Sequence, residues 1–309
     1  MSSTSSATAP SRRALPGSPG AWWGLLGVTA FSFTVVLTKV AVGGLSPLFI
    51  GSGRAVVAAA LAATALRLTR QPRPQTRRQW ARLGVVAAGV VLGFPLLTSY
   101  ALTTTPASHG AVVIAVLPAA TALAVVVRTR ERPGAAFWCS AVAGATAAVV
   151  FAALGGDGPP RLHVADLLLL AAVVAAAVGY AEGGLLTREL GAWQTVSWAL
   201  VLAAPVVVVL TAVAAVRHPP QATAEEWAAF GYLSVISMYL GFFAWYRGLA
   251  IGPMARVSQV QLAQPVLTLG WAALFLGEPL TWPTLAGGAV VILCAATAVR
   301  SRSPGRTAR

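Results

Sequence analysis

The chain has 309 residues, 57% hydrophobic and only 10% charged, against roughly 25% charged in a soluble domain, and this excludes a water-soluble globular enzyme. The formal charge of +14 would suggest nucleic acid in a soluble protein, but the basic residues cluster between apolar runs and read as membrane-flanking charge. Runs such as 199–216 lack the alternation of a membrane barrel; a helical span takes about 20 apolar residues, so the chain has room for roughly ten, as an all-α polytopic membrane protein.

Residues 1–20, rich in Ser, Thr, Ala, Pro and Gly and carrying Arg12 and Arg13, read as a disordered tail. The apolar stretch from Ala21 to Val42 is longer than a signal-peptide core and no clean cleavage site follows it, so it reads as a retained helix. Hydropathy over a window of about 19 residues predicts ten spans, at 22–42, 47–67, 82–102, 108–127, 135–154, 165–187, 194–216, 227–247, 256–276 and 280–299. Breakers support the boundaries: Gly43 and Gly44, Pro72 and Pro74, Pro106, Pro133 and Gly134, the 155–160 run, Pro219 and Pro220, Pro253, and Pro279. The expected organisation is a tail over 1–20, a first half over 21–154, a second over 165–299 and a basic tail over 300–309.

Lys39 is the single lysine among 22 basic residues, leaving 21 arginines. With the N-terminus inside, eighteen arginines fall in inner segments, Arg161 and Arg217 in outer ones, and Arg54 within a span. The positive-inside rule then predicts a multi-pass protein of the cytoplasmic (inner) membrane with both termini cytoplasmic.

Six identities recur 147 residues apart: Leu102 and Leu249, Pro106 and Pro253, Val113 and Val260, Pro118 and Pro265, Thr121 and Thr268, Glu131 and Glu278. Five spans separate the copies, an odd number, so the two five-helix halves are expected to be inverted, as in transporters with a midplane site. The Thr38-Lys39 pair has an echo two residues out of register at Thr187-Arg188.

Catalytic constellations are missing from the pattern. His109, His163 and His218 share no metal-ligand spacing, no two aspartates lie within spans, Gly51-Ser52-Gly53 has no evident His partner, and no GxxxxGK[ST] occurs. The expectation is a protein that is not an enzyme, with no metal, no cofactor and no ATP hydrolysis, and with proton coupling left open. Cys139 and Cys294 lie in apolar stretches and read as small core residues.

Charged residues within spans cost about 2.5–3.5 kcal/mol each on insertion scales and mark cavities or partners. Glu182, about 17 residues into the sixth span, has no counter-charge on its own helix; it reads as a proton-titrating or cation-binding carboxylate, or as a carboxylate paired with Arg247 or near the inner surface. Lys39 and Arg54 form a basic pair near the outer side that suits a substrate carboxylate or phosphate if it faces inward, and otherwise snorkels. Gln259, Gln261 and Gln264 precede Pro265, and Gln261 and Gln264 share a face for interhelical or substrate hydrogen bonds. Pro265 lacks an N–H, which frees a carbonyl in the preceding turn as an acceptor. Tyr100, Trp245 and Tyr246 read as an interfacial belt, with the cavity as the alternative. Ala136, Ser140, Gly144 and Ala148 form a small-residue packing stripe. Glu131 and Glu278, at short turns, read as structural acceptors for N–H groups at the start of the next helix.

Pro106 and Pro253, then Pro118 and Pro265, and above all Leu276-Gly277-Glu278-Pro279-Leu280 running on to Gly287 and Gly288, resemble the EamA-type transporters of the drug/metabolite transporter superfamily. The resemblance covers nearly all of 21–299. Its first copy departs at Arg130-Glu131-Arg132, with no glycine where the second has Gly277, which implies a differently built turn. It implies ten helices, a cavity lined mainly by helices 1, 3, 4, 6, 8 and 9, and export of amino acids, metabolites or drug-like compounds. The expected function is therefore a secondary exporter working by alternating access; the rivals are a non-transporting binding or sensing protein and a passive channel. Expected partners are a small-molecule substrate and the lipid bilayer, with a homodimer as an open assembly state and no nucleic acid.

Overall fold

A computed structural model of the chain describes residues 19–130, 134–154, 162–251 and 260–301. Among them all regular structure is helical. Eight helices are long and apolar enough to cross a membrane: α1 (Pro19–Ala41), α2 (Pro47–Leu68), α3 (Arg77–Ala101), α4 (Ala107–Thr129), α5 (Ala135–Leu154), α6 (Val164–Leu190), α7 (Ala192–Arg217) and α8 (Ala224–Gly248). Two further apolar helices follow among the described residues, α9 (Ala263–Leu276) and α10 (Trp282–Ser301).

Local chemistry sets the helix starts. The Ser46 hydroxyl accepts from Phe49 N–H at 3.3 Å with Pro47 in the first turn of α2, and Thr223 and Glu226 form a capping box at α8. At α3 the Thr76 hydroxyl accepts from Gln79 N–H at 3.2 Å while Gln79 Oε1 accepts from Thr76 N–H at 3.3 Å. That box starts α3 at Arg77 rather than at the expected residue 82, and places Arg82 more than a turn inside the helix.

The helix interiors carry matched irregularities. α1 is broken at Phe33 and α4 at residues 115–116, α9 is preceded by a turn at 261–262, and α3 and α8 contain π-helical stretches over Ala87–Gly93 and Leu233–Leu240. Wide π turns displace side chains from α register and recur at functional sites. α4 ends at Arg130 with φ +57° and α9 at Gly277 with φ +63°. Arg130 thus takes the left-handed conformation that Gly277 takes without strain, while the rest of the turn expected to be built differently, residues 131–133, lies outside the described residues.

Small residues set the close crossings. A Cβ on Gly27 would lie 2.9 Å from Trp245 N, and one on Gly248 2.7 Å from Gly24 N, so α1 and α8 meet backbone to backbone. α3 and α6 meet likewise, where a Cβ on Gly89 would lie 3.2 Å from Gly179 Cα and one on Gly179 3.2 Å from Val90 N. The expected stripe on α5 packs on α10 through buried Gly144 and Ala148, with Gly144 facing Cys294, while Ala136 is exposed. Cys139, expected in the core, is exposed, and Cys294 is half-buried.

Candidate functional site

Two small voids lie at the centre of the bundle and share the walls Val35 and Gln264. The first lies between the breaks of α4 and α9, against Ala115, Leu117, Gln261, Pro265 and Thr268. The second is walled by Phe31, Phe94, Tyr180 and Phe242, with Thr34, Ser237 and Arg54 as its polar groups. Free volumes of about 10 and 20 Å³ for the centre of a water molecule leave room for one or two waters, so the cavity stands contracted.

Its polar walls are built across helices. Thr34 on α1 and Ser237 in the π stretch of α8 share a 2.8 Å hydrogen bond. At the α1 break, the Ser32 carbonyl accepts from the Thr268 hydroxyl at 2.8 Å, the Ser32 hydroxyl accepts from Trp271 Nε1 at 2.9 Å, and Phe33 stacks on Trp271. Arg54, from α2, is 1% exposed, and its Nε and Nη1 have no partner among the described residues. Gln261 Nε2 and the Tyr246 hydroxyl are buried in the same unpartnered state.

At the end of the bundle where α3 starts and α4 and α6 finish, Glu182 joins three helices. One oxygen accepts from Arg82 Nε, the other from Arg128 Nε at 2.7 Å, and Arg128 Nη2 reaches the first at 3.3 Å. Arg82 Nη1 continues to Glu189, which also accepts from Gln79 Nε2 at 3.5 Å. Glu182 is 7% and Arg82 11% exposed by side chain, so the heart of the network is out of solvent, while Arg128 and Glu189, at 41% and 44%, reach its surface. At the opposite end, Glu278 accepts from Ala107 N–H and Ser108 N–H at 2.7 Å each. Beside it, His109 Nε2 lies 2.7 Å from Asp166 Oδ1, and Asp166 Oδ2 accepts from His163 N–H at 2.8 Å.

Several expected roles change accordingly. Glu182 is paired with Arg82 and Arg128, not with Arg247, whose exposed guanidinium lies 5.1 Å over the Trp23 ring. Lys39 and Arg54 do not act as a pair: Lys39 Nζ donates to the Leu102 carbonyl at 3.0 Å, while Arg54 alone walls the cavity. Tyr100 is 45% exposed, as a belt residue is, but Trp245 and Tyr246 are buried, with Tyr246 against Gly183. The carbonyl that Pro265 was expected to free, that of Gln261, accepts from Gln264 N–H at 3.1 Å, because the chain turns there before α9 begins. Glu278 caps α4, not the helix that follows it. Pro118 stands in the first turn after the α4 break. Glu131, Gln259 and Pro253 lie outside the described residues.

Sequence reasoning missed Arg82 and Arg128 as partners of Glu182, having counted them as membrane-flanking charge. The capping box at Thr76 and Gln79 was the available signal for Arg82. It also missed Thr34, Tyr180 and Ser237, whose types are unremarkable in a span.

The comparisons with known proteins agree with this architecture. A Bacillus subtilis (strain 168) protein named uncharacterized transporter YdeK is 41% identical over 285 residues, covering 90% of this chain and 96% of its own. An uncharacterized transporter of Archaeoglobus fulgidus is 37% identical over 71 residues, 23% of this chain and 26% of that one. A solved crystal structure at 18% identity superimposes with a TM-score of 0.62 over 92% of this chain and 98% of its own, a likeness of fold alone. The EamA-like transporter family matches twice, over residues 18–153 and 163–300. A helical bundle with a small polar cavity at its centre, built from two matches to one family that together span nearly the whole chain, is a membrane transporter of the EamA-like family within the drug/metabolite transporter superfamily.

Proposed function

We propose that the protein is a secondary exporter of small metabolites in the cytoplasmic membrane, built as ten spans in two inverted five-helix halves that give the central cavity access to each side in turn. The observation that carries this reading is the register of the irregularities. The π stretches of α3 and α8, the left-handed ends of α4 and α9, and the proline-marked breaks at Pro118 and Pro265 recur 147 residues apart, within a residue or two. The crossings are reciprocal too, α3 on α6 and α8 on α1. Broken and widened helices around a central site are what inverted-repeat transporters use to bind cargo and rock between states.

Two closures flank the contracted cavity. On the arginine-rich side, read as cytoplasmic, the Arg82–Glu182–Arg128 network ties α3, α4 and α6 together. On the other side Glu278 ties the α9–α10 turn to the start of α4. Opening to the cytoplasm must part the arginines from Glu182, so protonation of that carboxylate would release this closure and couple proton occupancy to the open side.

The test is counterflow in proteoliposomes preloaded with a mixture of amino acids and small organic acids, with released compounds read by mass spectrometry. Saturable release that a cargo added on the other side accelerates is expected. Binding without release would make the protein a sensor, and unsaturated release without exchange would make it a channel.

A further inference from the structure

We infer that the cavity takes an anionic cargo, a small monocarboxylate with an aromatic or bulky apolar body, whose carboxylate pairs with Arg54. The inference rests on the reading of this cavity as the transport site.

Arg54 is the fully buried cation of the cavity wall, with two guanidinium nitrogens unpartnered among the described residues. Among the described residues the carboxylates are committed elsewhere: Glu182 and Glu189 to Arg82, Asp166 to His109, Glu278 to the backbone of α4 and Glu226 to Thr223, while Glu225 is exposed. A desolvated guanidinium without a counter-charge is among the costliest arrangements in an apolar interior. The scaffold does not demand it, because the position 147 residues on is Val201. A cation kept there needs an anion that arrives from outside. The planar guanidinium matches a carboxylate by parallel hydrogen bonds.

The walls narrow the class. Phe31, Phe94, Tyr180 and Phe242 offer ring faces and edges to an apolar body. Thr34 and Ser237 already bond each other, which leaves half-buried Gln264, the Tyr180 hydroxyl and, in the adjoining void, the unpartnered Gln261 amide as neutral polar groups for any second cargo function. One positive charge balances one negative charge, so a monocarboxylate fits better than a phosphate dianion, which would bury a net negative charge.

The experiment measures the unfolding midpoint of the purified full-length protein in detergent with benzoate, phenylacetate and hexanoate, their amides, benzylamine and inorganic phosphate. At least one carboxylate is expected to raise the midpoint saturably, while the amides, benzylamine and phosphate leave it unchanged. Arg54→Met is expected to abolish that shift and to raise the ligand-free midpoint, since it removes an unpaired buried charge. Arg54→Gln, which keeps polarity, covers failure of the Met variant to fold and is expected to lose the shift as well. No shift with any carboxylate, an equal shift with an amide, a shift with phosphate or benzylamine instead, or a carboxylate shift retained in either variant overturns the inference. Counterflow of uncharged cargo with no carboxylate shift overturns it and leaves the transporter reading standing. Arg54-dependent carboxylate binding without counterflow of any cargo supports the inference and overturns the transporter reading.

Discussion

Glu182 holds a guanidinium on each of its oxygens, and Glu278 holds a backbone N–H on each of its own; similar carboxylates thus have opposite expected sensitivities. Glu182→Gln keeps the shape but carries no charge to release. In proteoliposomes it is expected to insert and exchange cargo while losing acceleration by a pH gradient, and wild-type pH dependence would make Glu182 a bystander. Glu278→Gln removes one of two acceptors at the start of α4 and is expected to cost about 1–2 kcal/mol, read as a lower unfolding midpoint before any loss of flux. Unchanged stability with abolished flux would give Glu278 a functional role instead. Glu182 and Arg54 stand out in the sequence because charge within an apolar run is costly wherever it occurs, and Glu278 through the repeat and the Leu276–Leu280 run. Their partners do not, because Arg82, Arg128 and Ala107 are brought in by helices 54 to 171 residues away, and neither periodicity nor composition records that distance. Tyr246 was misread for a related reason: an aromatic residue near a helix end has the same signature in a belt as against Gly183.

At the scale of the element, prolines and glycines announce the helix ends, and Pro118 and Pro265 mark the breaks of α4 and α9. The π stretches of α3 and α8 are marked unevenly: the first contains Gly89 and Gly93 and runs into Pro95, whereas the second has neither glycine nor proline within it and ends at Gly241. The left-handed end of α4 is not marked. Arginine disfavours that conformation, yet Arg130 adopts it at φ +57°. Replacing Arg130 by glycine relieves the strain, less the entropy glycine adds to the unfolded chain. The expected gain is about 0.5–1 kcal/mol, measured as a raised unfolding midpoint, whereas a lowered midpoint would mean that the arginine side chain has a partner worth more than the strain.

For the whole molecule, composition alone gave the membrane class and the resemblance gave the family, but neither describes a closed cavity or says what holds it closed. The orientation still rests on arginine asymmetry. A cysteine at Ser303 is expected to resist an impermeant reagent added outside intact cells, and labelling there would reverse the assignment of sides. The central claim is that the cavity opens to each side in turn. It is tested most directly by the access of Ser237→Cys to an impermeant thiol reagent, with Cys139 and Cys294 replaced by serine, in inside-out and right-side-out vesicles. Ser237 is 5% exposed in the contracted cavity, so labelling reports opening. The account predicts labelling from both sides in the free protein. When Arg82→Cys and Glu182→Cys are cross-linked across the arginine-rich closure, it predicts loss of labelling from that side and faster labelling from the other. Labelling from one side only, or a cross-link that leaves the opposite side unchanged, would contradict alternating access.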